Sequence, residues 1–404
     1  TAFACRYLSG INDEKMTTTE YPRLLNPPEG SFFLFGARGS GKSTWLRRHY
    51  PNAVTIDLLD EGLYQHWLAE PAMAGVRMAA LEPGTRVVID EIQRLPWLLN
   101  EVHRFIESRG LLFALSGSSA RKLRKAGTNL LAGRATREAM YPLLPAELGE
   151  AFDLNRVLTH GSLALVWDRG GSREVLESYV QTYLREEIQA EALVRNLAGF
   201  ARFLPIAALF HGQVLNAASL ARDAGVSRST VVGYLDILED TLLAFRIPPW
   251  EGRLRVKEKT HPKLYWIDPG IVRAARRQFG TVGEAERGAL FEGWIAALLQ
   301  SYRAYRHLFD DWHYWAPTET HALEVDFLLW RDERCVAIEA KATHRFRSEH
   351  TKGLQAFAAS YRGKEAPRKI LVYLGDQRLR TPEGIDVLPI GDFLQRVEND
   401  QLFG

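Results

Sequence analysis

The sequence predicts an α/β fold: a parallel sheet whose strands end in polar loops, a helical middle, and a second α/β unit towards the C-terminus. Three observations predict it. The apolar run that opens "FFLFGARGSGKSTWLRRH", residues 32–49, passes through a loop carrying three glycines into a helix-like pattern. "RVVIDEIQRLP", residues 86–96, is an unbroken apolar run that ends in an acidic pair, as in a parallel strand buried on both faces. Further on, an amphipathic helix from Gly288 precedes two strand-like runs, "EVDFLLW" and "RCVAIEAKAT", that carry charged residues on one face.

The first loop satisfies the spacing G-x4-G-K-S/T at each constrained position, between a strand-like and a helix-like run. Gly36, Gly39 and Gly41 let the backbone bend so that its N–H groups point inward at phosphate oxygens, and the helix N-terminus adds partial positive charge. Residues Gly36, Ala37, Arg38, Gly39, Ser40, Gly41, Lys42, Ser43 and Thr44 therefore read as a phosphate cradle, with Arg38 a solvated member of the loop. Lys42 would reach the β- and γ-phosphates of ATP, and the Ser43 hydroxyl would take one position on an octahedral magnesium. Asp90, at the carboxyl end of its strand, would hold that magnesium through its water shell. Glu91 would orient and polarise the attacking water. A further strand, "LLFALSGSS" from Leu111, ends in Ser116, Ser118 and Ser119, where a polar sensor of the γ-phosphate belongs. Ser119 is the candidate cofactor contact among them. With "VTIDLLD" and "ATREAMYPL" the first 145 residues make a five-stranded core with ligands at its strand ends.

These segments, with "LSGSSARKL" and "LLAGRATREAMYPLLPAEL" in the same order, resemble the AAA-type P-loop ATPases of bacteria and archaea. The likeness is to the group that adds a winged-helix segment and a restriction-endonuclease-like, PD-(D/E)xK, domain. It runs over nearly the whole chain and implies a P-loop ATPase core at 1–145, a helical lid at 146–200, a winged helix at 201–280 and an endonuclease-like domain at 281–404. It also implies a homo-oligomer, a hexamer in that group, in which an arginine of one subunit reaches the γ-phosphate held by its neighbour. Arg134 in "LAGR" best matches that catalytic role and Arg137 is next; a plain surface arginine would look the same at either position.

A chain of 404 residues is too long for one compact core and suggests two or three domains. Cys5 and Cys335 lie far apart with no metal-like spacing, which fits a reducing cytoplasm. The histidines, His321 and His344 among them, are scattered and suggest no zinc site. No run of about 18 apolar residues and no basic-then-apolar leader occurs, so neither a membrane span nor a signal peptide is indicated. "MTTTEYPRLL" from Met16 reads like a natural start, with residues 1–15 an upstream segment.

Net charge is +2, so nucleic-acid binding must come from local patches. One is "ARKLRKAG", residues 120–127, where Arg121, Lys122, Arg124 and Lys125 would face a ring pore or simply form a solvated face. The other follows "NAASLARDAGVSRSTVVGYLDILED", which reads as a helix, a turn at Gly225, and a second helix capped by Ser227: a helix-turn-helix layout. Asp236, Glu239 and Asp240 mark the solvated side of the second helix. The following stretch looks like two strands joined by a basic arm carrying Arg253, Arg255, Lys257, Lys259 and Lys263. Such modules bind DNA, here through Arg228 and the arm on phosphate, or bind protein instead.

In "EVDFLLW" and "RCVAIEAKAT", twelve residues separate Asp326 from Glu339. The strand period of two points Glu339 and Lys341 to one face. This is the D–x(n)–ExK pattern of the restriction-endonuclease and junction-resolvase fold, and Glu292 resembles its helix glutamate. Carried over, Asp326, Glu339 and Glu292 would bind magnesium or manganese, and Lys341 would steady the attacking hydroxide. The same fold also serves without chemistry, as a DNA clamp or an assembly surface. Leu354, Phe357 and Tyr361 resemble its packing helix, with Gln355 as polar support.

The leading reading is an ATP-hydrolysing oligomeric DNA-processing enzyme that translocates along, unwinds or remodels DNA, branched junctions included, as in helicase and branch-migration activities, with nuclease activity left open. The alternative is a nucleotide-controlled DNA-binding or scaffold protein with an inactive nuclease-like domain. Only the first requires ATP turnover stimulated by DNA.

Overall fold

The computed structural model describes residues 21–404 other than 120, 122, 124–130, 132, 184–196, 252–260 and 318–322. Cys5, Met16, Lys122, Arg124, Lys125, Arg253, Arg255, Lys257, Lys259 and His321 lie outside the described residues.

Five strands, β1 (Ser31–Gly36), β2 (Val54–Asp57), β3 (Arg86–Asp90), β4 (Leu112–Gly117) and β5 (Ala135–Met140), form one sheet in the order β2-β3-β4-β1-β5. Every pairing in it is parallel. A sheet of this kind is covered on both faces, which is why Phe32, Phe33 and Leu34 in succession are fully buried. On one face Phe33, Val87, Ile89 and Phe113 pack with Trp67, Met78, Val102 and Phe105 of the helices Glu61–Ala69, Ala72–Ala79 and Leu98–Arg109. On the other, Phe32, Leu34, Val88 and Ala114 join a core that continues without a break into the middle and C-terminal parts. Strand order matters for the site: β4 lies between β1 and β3, so Ser116 at its end falls between the glycine loop and Asp90.

The helices Leu154–His160, Ala164–Asp168 and Arg173–Ser178 come next in the chain. They lie against the glycine loop, where Leu165 N–H donates to Gly39 O at 3.0 Å and the Tyr179 hydroxyl donates to Arg38 O at 3.0 Å. The break expected between 200 and 201 falls inside the helix Leu197–Leu209, whose Phe200 and Phe203 are fully buried against Tyr234. Composition suggested an edge there, but apolar packing runs across it.

Two helices, Ala217–Ala224 and Arg228–Asp240, meet at Gly225, whose φ of 62° is left-handed and suits glycine. The side chains of Asn216 and Ser227 cap them by accepting from Ala218, Ser219 and Thr230 N–H. Strands β6 (Gln213–Val214), β7 (Ala244–Ile247) and β8 (Lys263–Trp266) form a small antiparallel sheet in the order β6-β8-β7. Here one expectation is corrected. Lys263 is not a solvent-facing cation of a basic arm: it lies in β8, 2% exposed, with its ammonium in a cluster of carboxylates from the C-terminal part.

The C-terminal part is a six-stranded sheet of β9 (Asp311–Trp315), β10 (Val325–Arg331), β11 (Arg334–Lys341), β12 (Arg368–Tyr373), β13 (Leu379–Arg380) and β14 (Ile385–Pro389), ordered β13-β14-β12-β11-β10-β9. Leu354 and Phe357 of the helix Lys352–Ser360 cover one face. Gln355 donates to Thr351 Oγ1 and His344 is exposed. The 23-residue helix Glu284–Arg306 has Phe291, Ile295, Leu298 and Leu299 almost wholly buried, and it runs from this sheet to the first one. At its far end the Tyr305 hydroxyl accepts from Tyr141 N–H at 2.8 Å, just beyond β5. Among the described residues no helix is long and apolar enough to cross a membrane.

Candidate active site and a second carboxylate cluster

The glycine loop closes on itself through its lysine. Gly39 and Gly41 have φ of 77° and 97°, and Gly41 caps the helix Lys42–His49. Lys42 is buried, and its Nζ donates to Gly36 O at 2.7 Å and Ala37 O at 3.2 Å. These are neutral acceptors, which phosphate oxygens outcompete by charge. Gly36 cannot carry a side chain, because a Cβ there would lie 2.6 Å from Met140 O. Ser43 Oγ donates to Asp90 Oδ2 at 2.6 Å, and the Ser116 hydroxyl donates to Asp90 Oδ1. The hydroxyl suited to magnesium, the carboxylate suited to its water shell and a polar group of β4 thus share one hydrogen-bonded unit, and this donor set fits a magnesium nucleotide.

Glu91 adopts a left-handed backbone, φ 56°, a conformation that non-glycine residues adopt at a cost and that clusters at functional sites. Burial pushes its carboxyl pKa up, with Lys42 acting in the opposite direction. Its Oε2 accepts from Gln93 Nε2, which also lies 3.3 Å from Ser118 Oγ. Ser119, fully buried, accepts from Arg121 N–H at 3.0 Å and so caps the segment after β4. The sequence reading missed Gln93, although it lies two residues after Glu91; no local pattern says that it bridges to β4.

It also missed Arg23. This buried guanidinium is 3.0 Å from Glu147 Oε2 and donates to Ser40 O at 2.8 Å and to the Tyr305 hydroxyl at 3.4 Å. It therefore ties the glycine loop to the long helix. Beside Gly41 and Thr44 a cavity of about 110 Å³ is lined by Tyr21, His49, Leu143, Ala164 and Asp168, a mixed apolar and polar recess adjoining the cradle. Arg38 and Thr44 are exposed at the rim. Arg134 lies far from this loop in the turn before β5, half-exposed and paired with Glu107; Arg137 is exposed on the edge strand β5. Arg121, placed by the sequence in a basic pore or solvated patch, pairs with Asp240 at 2.9 Å.

The register Phe327↔Ile338 between β10 and β11 puts Asp326 beside Glu339 on adjoining strands. Glu339 Oε1 pairs with Lys341 at 2.5 Å, and Asp326 Oδ2 accepts from Ala340 N–H at 2.9 Å. Glu292 comes from the long helix and accepts from the Tyr265 hydroxyl at 2.6 Å. All four residues of the D–x(n)–ExK reading are thus brought together. Two more join them: Glu324, two residues before Asp326 and immediately ahead of β10, and Lys263. The spacing of Glu324 was visible in "LEVDF"; the arrival of Lys263 from another sheet was not. Burial, Asp326 and Glu324 raise the Glu292 pKa to about 7, with Lys263 opposing them. Burial and Asp326 push Glu339 well up. Burial opposes the charge on Lys263, but Glu292, Tyr265, Asp326 and Glu324 outweigh it and hold its pKa well above the ordinary value. As arranged, this set holds an ammonium where a divalent ion would lie, so the metal does not fit beside it.

A parallel sheet with a glycine loop on one strand end, an Asp–Glu pair on another and a polar strand end between them is the arrangement of a P-loop nucleotide-hydrolase domain. The comparisons agree: residues 29–149 match the family described as AAA domain. Residues 152–281 and 287–393 match two domains of unknown function, DUF8612 and DUF4143. The chain is 24% identical over 384 residues to uncharacterized proteins Rv2008c of Mycobacterium tuberculosis and Mb2031c of Mycobacterium bovis, covering 91% of this chain and 82% of each relative. Similarity to solved structures is slight: the replication initiator DnaA bound to AMPPCP and single-stranded DNA gives a TM-score of 0.27 at 11% identity, over 53% of this chain and 83% of that one.

Proposed function

We propose that the chain hydrolyses ATP as an oligomer, a hexamer in the leading form, and uses that energy to process DNA by translocation, unwinding or remodelling of branched junctions. The hydrogen-bonded unit of Ser43, Asp90 and Ser116 carries the reading, because it brings a hydroxyl suited to magnesium, a carboxylate suited to its water shell and a polar strand end together beside the glycine loop. Lys42 neutralises the phosphates, Glu91 polarises the attacking water and Gln93 positions Glu91. Arg134, or else Arg137, reaches the nucleotide of a neighbouring subunit. The helix-turn-helix with its small sheet is read as a winged helix. Its exposed Arg228 stands at the N-terminus of the second helix, whereas Asp236 and Glu239 pair with Arg246 and Asp240 pairs with Arg121, so phosphate contact falls on the N-terminal turn.

The second reading is a nucleotide-controlled DNA-binding or scaffold protein whose endonuclease-like domain is inactive. Lys263 inside the carboxylate set favours it for that domain. The deciding experiment is ATP turnover with single-stranded, duplex and four-way DNA. Stimulation by DNA is expected, with Lys42→Ala abolishing turnover and Glu91→Gln keeping ATP binding while losing hydrolysis. Turnover indifferent to every DNA would leave the switch.

A further inference from the structure

One oxygen each from Glu292, Glu324 and Asp326 lies within 4.8 Å of the others. Lys263 enters this point from β8. Its Nζ is 3.0 Å from Glu292 Oε1, 3.4 Å from Asp326 Oδ1, and in contact with Glu324 Oε1. The approach is fixed from behind: the carbonyl of Pro262 accepts from Leu215 N–H, and that of His261 accepts from the Tyr314 hydroxyl. Nζ also lies 5.5 Å from the Tyr314 ring. This is a held side chain, not a surface lysine that happens to fold over.

We infer that Lys263 is the resident cation of the C-terminal carboxylate cluster, and that a divalent ion and this ammonium are mutually exclusive occupants of it. A magnesium-sized ion needs oxygens at about 2.0–2.1 Å, whereas an ammonium sits about 2.7–2.9 Å from its acceptors. Two such centres served by the same three oxygens would be nearly in contact, and burial leaves little water to screen their repulsion. A second observation points to the ion. Glu339 Oε2 is buried and has no hydrogen-bond partner among the described residues, while its other oxygen pairs with Lys341. Lys263 pairs with Glu292, Glu324 and Asp326 and not with Glu339, so the ammonium leaves this oxygen unserved; an ion drawing on Asp326 and its neighbour Glu339 together gives it a ligand. Entry of the ion therefore requires Lys263 to withdraw. Because β8 belongs to the sheet beside the helix-turn-helix, occupancy of the cluster is tied to the position of that element.

The test reads occupancy and not cutting, so it stands apart from the proposed function. Manganese binding to the full chain without nucleotide is followed by electron paramagnetic resonance for the parent, Lys263→Gln and Lys263→Met. Both variants are expected to bind manganese about tenfold or more tighter than the parent, and adding Glu339→Gln is expected to remove the gain. In the parent, manganese at millimolar concentration is expected to raise reductive methylation of Lys263, read by mass spectrometry, from a protected level. Unchanged affinity in folded variants overturns the inference. So does manganese binding at this cluster in a parent whose Lys263 stays protected, a measurement that decides the matter if the variants do not fold. Tighter manganese binding without any cleavage of DNA upholds the inference and removes only the nuclease reading.

Discussion

Gln93 reaches both Glu91 and Ser118, and Gly117 lacks a side chain where a Cβ would lie 2.3 Å from Gln93 Oε1. Removing the amide in Gln93→Ala takes a donor from the charged form of Glu91 and so raises its pKa. The acidic limb of the kcat profile is expected to move to higher pH, with kcat down about tenfold or more and KM for ATP little changed. A profile that keeps its position would make Gln93 a packing residue. His211 is a second residue with a readable consequence. It is buried, its Nδ1 accepts from Trp266 N–H at 3.1 Å, and burial lowers its pKa to about 3. Between that value and 6.5 the unfolded chain binds a proton that the folded chain does not, so stability falls as pH falls through this window, by about 1.4 kcal/mol per unit. Urea unfolding of the parent and His211→Asn at pH 7, 6 and 5 should differ by that slope; equal slopes would clear His211. Of these residues, Lys42, Ser43 and Asp90 were legible in the sequence because a local loop and strand end define them. Gln93, Arg23 and His211 act across the sheet or between parts, and no spacing records that.

The helix-turn-helix was legible as an element, down to its caps at Asn216 and Ser227 and its turn at Gly225, because those signals are local. Its neighbour β8 was legible as a strand but not in its partner. A period of two gives Lys263 and Tyr265 a common face without saying that Glu292 and Asp326 cover it. The two lysine and arginine assignments in this region now separate by experiment. Arg228→Ala is expected to weaken DNA binding and reduce the salt slope by about one unit per lost phosphate contact. Lys263→Ala is expected to leave that slope alone and lower stability by about 3–5 kcal/mol, since it strands buried carboxylates. Thermal melts and binding titrations over a salt series check both. A lower salt slope in Lys263→Ala with an unchanged melt would return Lys263 to the DNA surface.

At the scale of the molecule, the α/β order of parts was legible but their fusion was not: buried side chains from the ATPase sheet, the middle helices and the C-terminal sheet form one core, which only tertiary packing creates. The helix Glu284–Arg306 makes that fusion specific. Glu292 sits with Lys263 in its first half, and Tyr305, thirteen residues on, touches Arg23, which grips Ser40 O of the glycine loop. At 1.5 Å per residue the two contacts are about 20 Å apart on one rod. Tyr305→Phe removes the acceptor of Tyr141 N–H and the contact with Arg23; it is expected to cost about 1–3 kcal/mol and to weaken ATP binding, measured by chemical unfolding and nucleotide titration. A rod gripped at two separated points closes a thermodynamic cycle. If nucleotide shifts the loop carbonyl that Arg23 holds, the free energy of filling the carboxylate cluster shifts with it, and filling the cluster must then alter nucleotide affinity by the same factor and in the same sense.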